Sequence, residues 1–152
     1  MTIRTRQAWY WWVYYNLSFR SVKRDIVRFW QRGMRGWSEQ DVWDFDDYLS
    51  RIIVGGVSTL RRTKRSVPGT LTIGRLGDED IPFSVARVRW DSILQKIIEG
   101  FTARQMLARL EYYVNDIETG VPSLDHALFL KLMMKSEEGM KLFVEHYDSL
   151  WD

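Results

Sequence analysis

The chain has 152 residues, 45% of them apolar and 28% charged, which suits one stable domain and is wrong for disorder. The 22 Lys and Arg nearly balance the 20 Asp and Glu, so net charge argues neither for nor against nucleic acid. With no cysteine, disulfides, thiolate chemistry and cysteine-ligated zinc are excluded.

Periodicity and punctuation predict a single helical domain over 1–152, with helices at about 7–34, 38–61, 86–117 and 123–150. The first begins in an aromatic run that includes Trp9, Tyr10, Trp11, Trp12, Tyr14 and Tyr15. Such rings fill cores, and any left over suit a partner, so Trp9, Trp11 and Trp12 are candidate partner-binding residues. The basic start and apolar Ala8–Leu17 invite a signal peptide, but bulky rings and the absence of a small-residue cleavage site argue against one. The run is also too short to span a bilayer. Further on, Val22, Ile26, Phe29 and Trp30 recur at helical spacing, with Arg20, Lys23, Arg24, Arg28 and Arg32 on the other sides.

Gly33 and Gly36 stop this helix, and Ser38 followed by Asp41 has the spacing of an N-terminal cap for the second. Val42, Phe45, Leu49, Ile52, Ile53 and Leu60 form its expected apolar stripe. Asp46 falls between Trp43 and Ile53 within that arc. Both Trp43 and Asp46 are therefore expected to be buried and structural, the carboxylate accepting from an indole or an Arg. Asp44 and Asp47 read as a solvated face, with Asp47 paired to Arg51 four residues on.

Arg61, Arg62, Lys64 and Arg65 form the one dense basic run. Cations there complement the C-terminal dipole of a helix, and the same residues are the candidate anion- or nucleotide-binding site, with Arg75, Arg87 and Arg89 available to join it. Residues 62–82 lack helical period and are expected as a long irregular loop, within which Thr70–Ile73 fits a short strand.

The third helix carries Trp90, Leu94, Ile97 and Phe101, with a kink expected at Gly100. Ser123 caps the last helix, and Ser136–Gly139 is a candidate interruption of it. The fold class is thus all-α, a four- to five-helix bundle.

No catalytic constellation emerges. Asp41, Asp44 and Asp47 have i, i+3 spacing, but no second helix offers the acidic pair that magnesium pyrophosphohydrolases use. His126 and His146 are too few and too far apart for zinc and read as ordinary boundary residues. No phosphate loop or nucleophile elbow is present, so neither an enzyme nor a metal site nor a cofactor is expected.

Arg35-Gly36-Trp37-Ser38-Glu39-Gln40-Asp41-Val42-Trp43-Asp44-Phe45-Asp46, running on to Ile52-Ile53, resembles a segment of a widespread group of small uncharacterised proteins of tailed bacteriophages. Trp90–Leu94 with Ile97–Phe101 is similar to the next helix of that group, and Glu138–Phe143 with Tyr147 and Leu150-Trp151-Asp152 to its C-terminus. The resemblance covers about half of the chain. It implies a phage origin and a helical fold, and no activity; the host bacterial cytoplasm is the expected location, which the absence of cysteine suits.

The leading expectation is therefore a non-enzymatic phage accessory protein that binds a host or phage macromolecule. A protein partner or self-association is expected, a nucleotide ligand is allowed, nucleic acid is not favoured and a membrane is disfavoured. The alternatives are a sponge for a nucleotide immune signal, in which rings stack on a base while Arg holds its phosphate, and a virion or assembly component.

Overall fold

The computed structural model describes residues 19–73, 81–115 and 122–151. Trp9, Trp11 and Trp12 lie outside the described residues. The protein is mostly α-helical, as the periodicity predicts, with one small two-stranded sheet. In chain order come α1 (Phe19–Arg35), a 3₁₀ turn (Glu39–Val42), α2 (Phe45–Thr63), a 3₁₀ turn (Gly69–Leu71) and α3 (Phe83–Ala108). They are followed by β1 (Tyr113–Asn115), β2 (Pro122–Leu124), α4 (His126–Glu145) and a last 3₁₀ turn (Tyr147–Ser149). The chain divides into two compact units at Phe45/Asp46.

In the first unit, α1 ends where Gly36 takes a left-handed φ of 82° and its N–H reaches the Arg32 carbonyl (2.9 Å). Glycine adopts that conformation without a Cβ penalty. The chain then turns back through Ser38 into the 3₁₀ turn.

The second unit is built on α3 and α4, which run antiparallel: Lys96 pairs with Glu138, and Glu99 with Lys135. Their closest approach is at Gly100 and Gly139, where a methyl group added to Gly100 would sit 2.4 Å from the Gly139 Cα. Gly100 is thus the crossing point of the pair, not a kink, and Ser136–Gly139 stays helical. Ala103 and Ser136 are buried beside it, and the Ser136 hydroxyl has no hydrogen-bond partner among the described residues. Beyond the crossing, Trp90, Leu94, Ile97 and Phe101 form the core with Val57 of α2. Phe101 meets Phe143 edge-on, and Trp90 meets His146 in the same way.

Three local expectations fail. Thr70–Ile73 is not a strand; the 3₁₀ turn Gly69–Leu71 takes its first two residues. The hairpin lies instead where helix was expected to continue to about 117, pairing Tyr113 with Leu124 and Asn115 with Pro122. Leu110, at a φ of 58°, ends the helical run, and the aromatic and β-branched Tyr112-Tyr113-Val114 favours extended backbone. With Ser123 in that strand, the cap of α4 is Asp125, whose carboxylate accepts from the Leu128 N–H at 2.9 Å.

Candidate functional site

The first candidate surface belongs to α1. At 100° per residue, Val22, Ile26, Phe29, Trp30 and Met34 share one arc, with Lys23 inside it, while Arg24, Arg28, Gln31, Arg32 and Arg35 take the opposite side. Among the described residues, the 3₁₀ turn that follows bonds to the polar side. Gln40 accepts from Arg28 (2.9 Å), the Glu39 N–H donates to Gln31 (3.2 Å), and Asp41 takes both Arg32 donors. The residues of the apolar arc are exposed: Phe29 is 80% exposed, Met34 70% and Trp30 65%.

Asp41 holds this arrangement. Buried, it accepts from the Ser38 N–H (2.7 Å), the Ser38 hydroxyl (2.8 Å), and the Arg32 Nε (2.9 Å) and Nη2. The Arg32 bonds, joined by those of Ser38, hold its carboxyl far below the usual carboxylate range despite the cost of burial. The expected reciprocal cap is thus present with an added guanidinium, a partner that the i, i+3 cap spacing alone does not reveal. Beside it, the Arg35 guanidinium stacks over the Trp37 ring at 3.9 Å.

The polar residues expected to be buried on α2 are exposed. Trp43 is 83% exposed and lies in the turn before the helix, and Asp46 is exposed with an ion pair to Arg104 at 3.3 Å. The inward stripe is Asp47, Ser50, Val54, Val57, Arg61 and Lys64, and it leaves Phe45, Leu49 and Ile52 outside. Asp47 does pair with Arg51, but it is buried, and its Oδ1 has no partner among the described residues.

The second candidate surface lies where the C-terminal part of α2 meets α3. Asp91 accepts from Arg61 (Nε 3.2 Å, Nη2 2.8 Å) and from Lys64 (2.9 Å). These bonds, from Arg61 first and Lys64 second, hold its carboxyl down at about 2 and raise the Arg61 pKa. Lys64 is itself buried, so Asp91 supplies the partner a buried ammonium requires. Arg61 also donates to Gln95 (2.5 Å), Gln95 to Glu99 (2.9 Å), and Lys135 of α4 to Glu99 (2.9 Å). The Gln95 bond and Lys135 lower the Glu99 pKa.

This ladder of bonds floors an open cleft of about 650 Å³. Of the basic run, Arg61, Arg62 and Lys64 line it and Arg65 does not; Arg87 of α3 joins them. None of the described lining residues is aromatic, so the stack of a ring on a base is not formed here. His126 and His146 stand at opposite ends of α4, and no three Asp, Glu or His side chains gather as metal ligands among the described residues. No helix among these residues is long and apolar enough to cross a membrane. No family model, curated protein or solved structure matches the chain, so its function is argued from these two surfaces.

Proposed function

We propose that the chain is a non-enzymatic accessory protein, encoded by a tailed bacteriophage as its resemblance implies, that binds a partner protein through α1. The observation that carries this reading is the exposed arc of Val22, Ile26, Phe29, Trp30 and Met34. Side chains of this size contribute roughly 1.5–3 kcal/mol each when buried, so a groove that accepts them gains substantial affinity.

Charge selects the partner. Up to Phe45 the chain has eight basic and four acidic residues. Pairing α1 with a second α1 would bring like-charged flanks together, whereas an apolar groove with an acidic rim complements both faces. Lys23, within the apolar arc, would lay its aliphatic stem along that groove and keep its ammonium at the rim.

The test is capture from infected cells with the wild-type chain and with Ile26→Asp/Phe29→Asp. One acidic protein recovered by the wild type and lost with the variant is the expected result. Recovery undiminished by the variant, binding to anionic vesicles without any protein partner, or turnover of a nucleotide panel with added divalent metals would each overturn the reading.

A further inference from the structure

We propose that the cleft between α2 and α3 is a binding site for a compact phosphate-bearing anion, held by Arg62 and Arg87. The site is on the second unit and is independent of the α1 surface.

Arg61, Arg62, Lys64, Arg87 and Lys96 line the cleft against only two acids, Asp91 and Glu99. Both acids are committed: Asp91 accepts from Arg61 and Lys64, and Glu99 accepts from Gln95 and Lys135. Lys96 is paired with Glu138. Arg62 and Arg87 have no ion pair among the described residues, although they face the same space from two helices. The helix-end dipole and Asp91 account for Arg61 and Lys64. They do not account for Arg87, which lies in the first turns of α3.

Arg61, the neighbour of Arg62, is held by three bonds to Asp91 and one to Gln95, which fixes the floor of the cleft. Planar guanidiniums match the oxygens of a phosphoryl group in bidentate fashion, and Ser92 adds a hydroxyl donor to the lining. The volume of about 650 Å³ admits more than a single phosphate. With no aromatic among the described lining residues, recognition rests on phosphoryl oxygens rather than on a base. A diphosphate group, free or carried by a nucleotide, has this chemistry.

The full-length chain would be titrated with inorganic pyrophosphate by calorimetry at physiological ionic strength, with sodium chloride as the matched control. Saturable binding of one pyrophosphate per chain is expected. Arg62→Gln/Arg87→Gln should weaken it about tenfold or more, the effect of losing one charge-assisted pair. The variant should keep the unfolding temperature of the wild type, since neither side chain has an ion pair to lose among the described residues. Arg109→Gln, away from the cleft, should leave binding unchanged.

Equal affinity for ADP and pyrophosphate would support the diphosphate as the recognised group. Absence of saturable binding, equal binding by the double variant, or binding of single-stranded nucleic acid with none of pyrophosphate would overturn the proposal.

Discussion

Asp46 and Asp47 exchange the roles that helical periodicity assigns them. A helix running unbroken from Ser38 would carry Asp46 inward, but the backbone makes a 3₁₀ turn to Val42 and restarts as α2 at Phe45. That break resets the phase, so Asp47 and Ser50 turn inward and Asp46 turns out to Arg104. Asp41, whose spacing from Ser38 is legible as a cap, gains a guanidinium from nine residues earlier. Asp41→Asn should therefore cost about 1–2 kcal/mol, the lower part of the range for a charged hydrogen bond because Arg32 is half exposed. Urea unfolding followed by tryptophan fluorescence measures this, and Asp46→Asn, which loses only a surface pair, should fall within about 0.5 kcal/mol of wild type.

Asp91 makes a pH prediction at the same scale. Its carboxyl is held at about 2 in the folded chain, below the ordinary 3.8, so the folded state binds this proton less readily than the unfolded one. The resulting stabilisation is complete above about pH 4 and is lost as pH falls from about 4 towards 2. Asp91→Asn should remove this part of the acid dependence. It should also destabilise the chain at neutral pH by leaving Lys64 buried without its anion, which thermal unfolding at neutral and acidic pH would register.

At the scale of elements, the α3/α4 crossing and the middle of α2 respond oppositely to added methyl groups. At Gly100 the new carbon would lie 2.4 Å from the Gly139 Cα and 2.7 Å from the Lys135 carbonyl oxygen, both backbone atoms that yield only if the helices separate. Gly100→Ala and Gly139→Ala should each destabilise by about 1–3 kcal/mol or more. Gly55 and Gly56 have nothing within 4 Å of such a carbon and lie within α2. Gly55→Ala should stabilise by about 0.5–1 kcal/mol through helix propensity and unfolded-state entropy. Differential scanning calorimetry of the variants would show melting temperatures shifted in opposite directions. Sequence marks Gly100 only as a helix weakness; its use as a crossing point depends on Gly139, 39 residues away.

At the largest scale, few large side chains among the described residues are buried and many are not. The core of Val57, Trp90, Leu94, Ile97 and Phe101 is small beside the apolar residues left exposed on α1, α2 and α4, among them Phe29, Ile52 and Met134. Large exposed apolar patches on a folded chain mark interaction surfaces. Ile26→Asp/Phe29→Asp should accordingly change unfolding free energy by no more than about 0.5 kcal/mol per site while removing partner capture. If the basic flank steers that encounter, its association rate should also fall as salt is raised, measurable by stopped-flow.

Sequence alone determined the helical class, the stripe of α1, the Ser38–Asp41 cap and the core positions of α3, because each depends on residues within a turn or two of one another. Tertiary structure decided which side of α2 faces inward, where the hairpin forms and which members of the basic run are consumed by Asp91. Those outcomes depend on partners 27 to 30 residues apart or on backbone breaks between elements, and helical periodicity holds no information about either. Physically, a local pattern specifies which face of a helix is apolar, while only the neighbours that pack against it decide which face is covered.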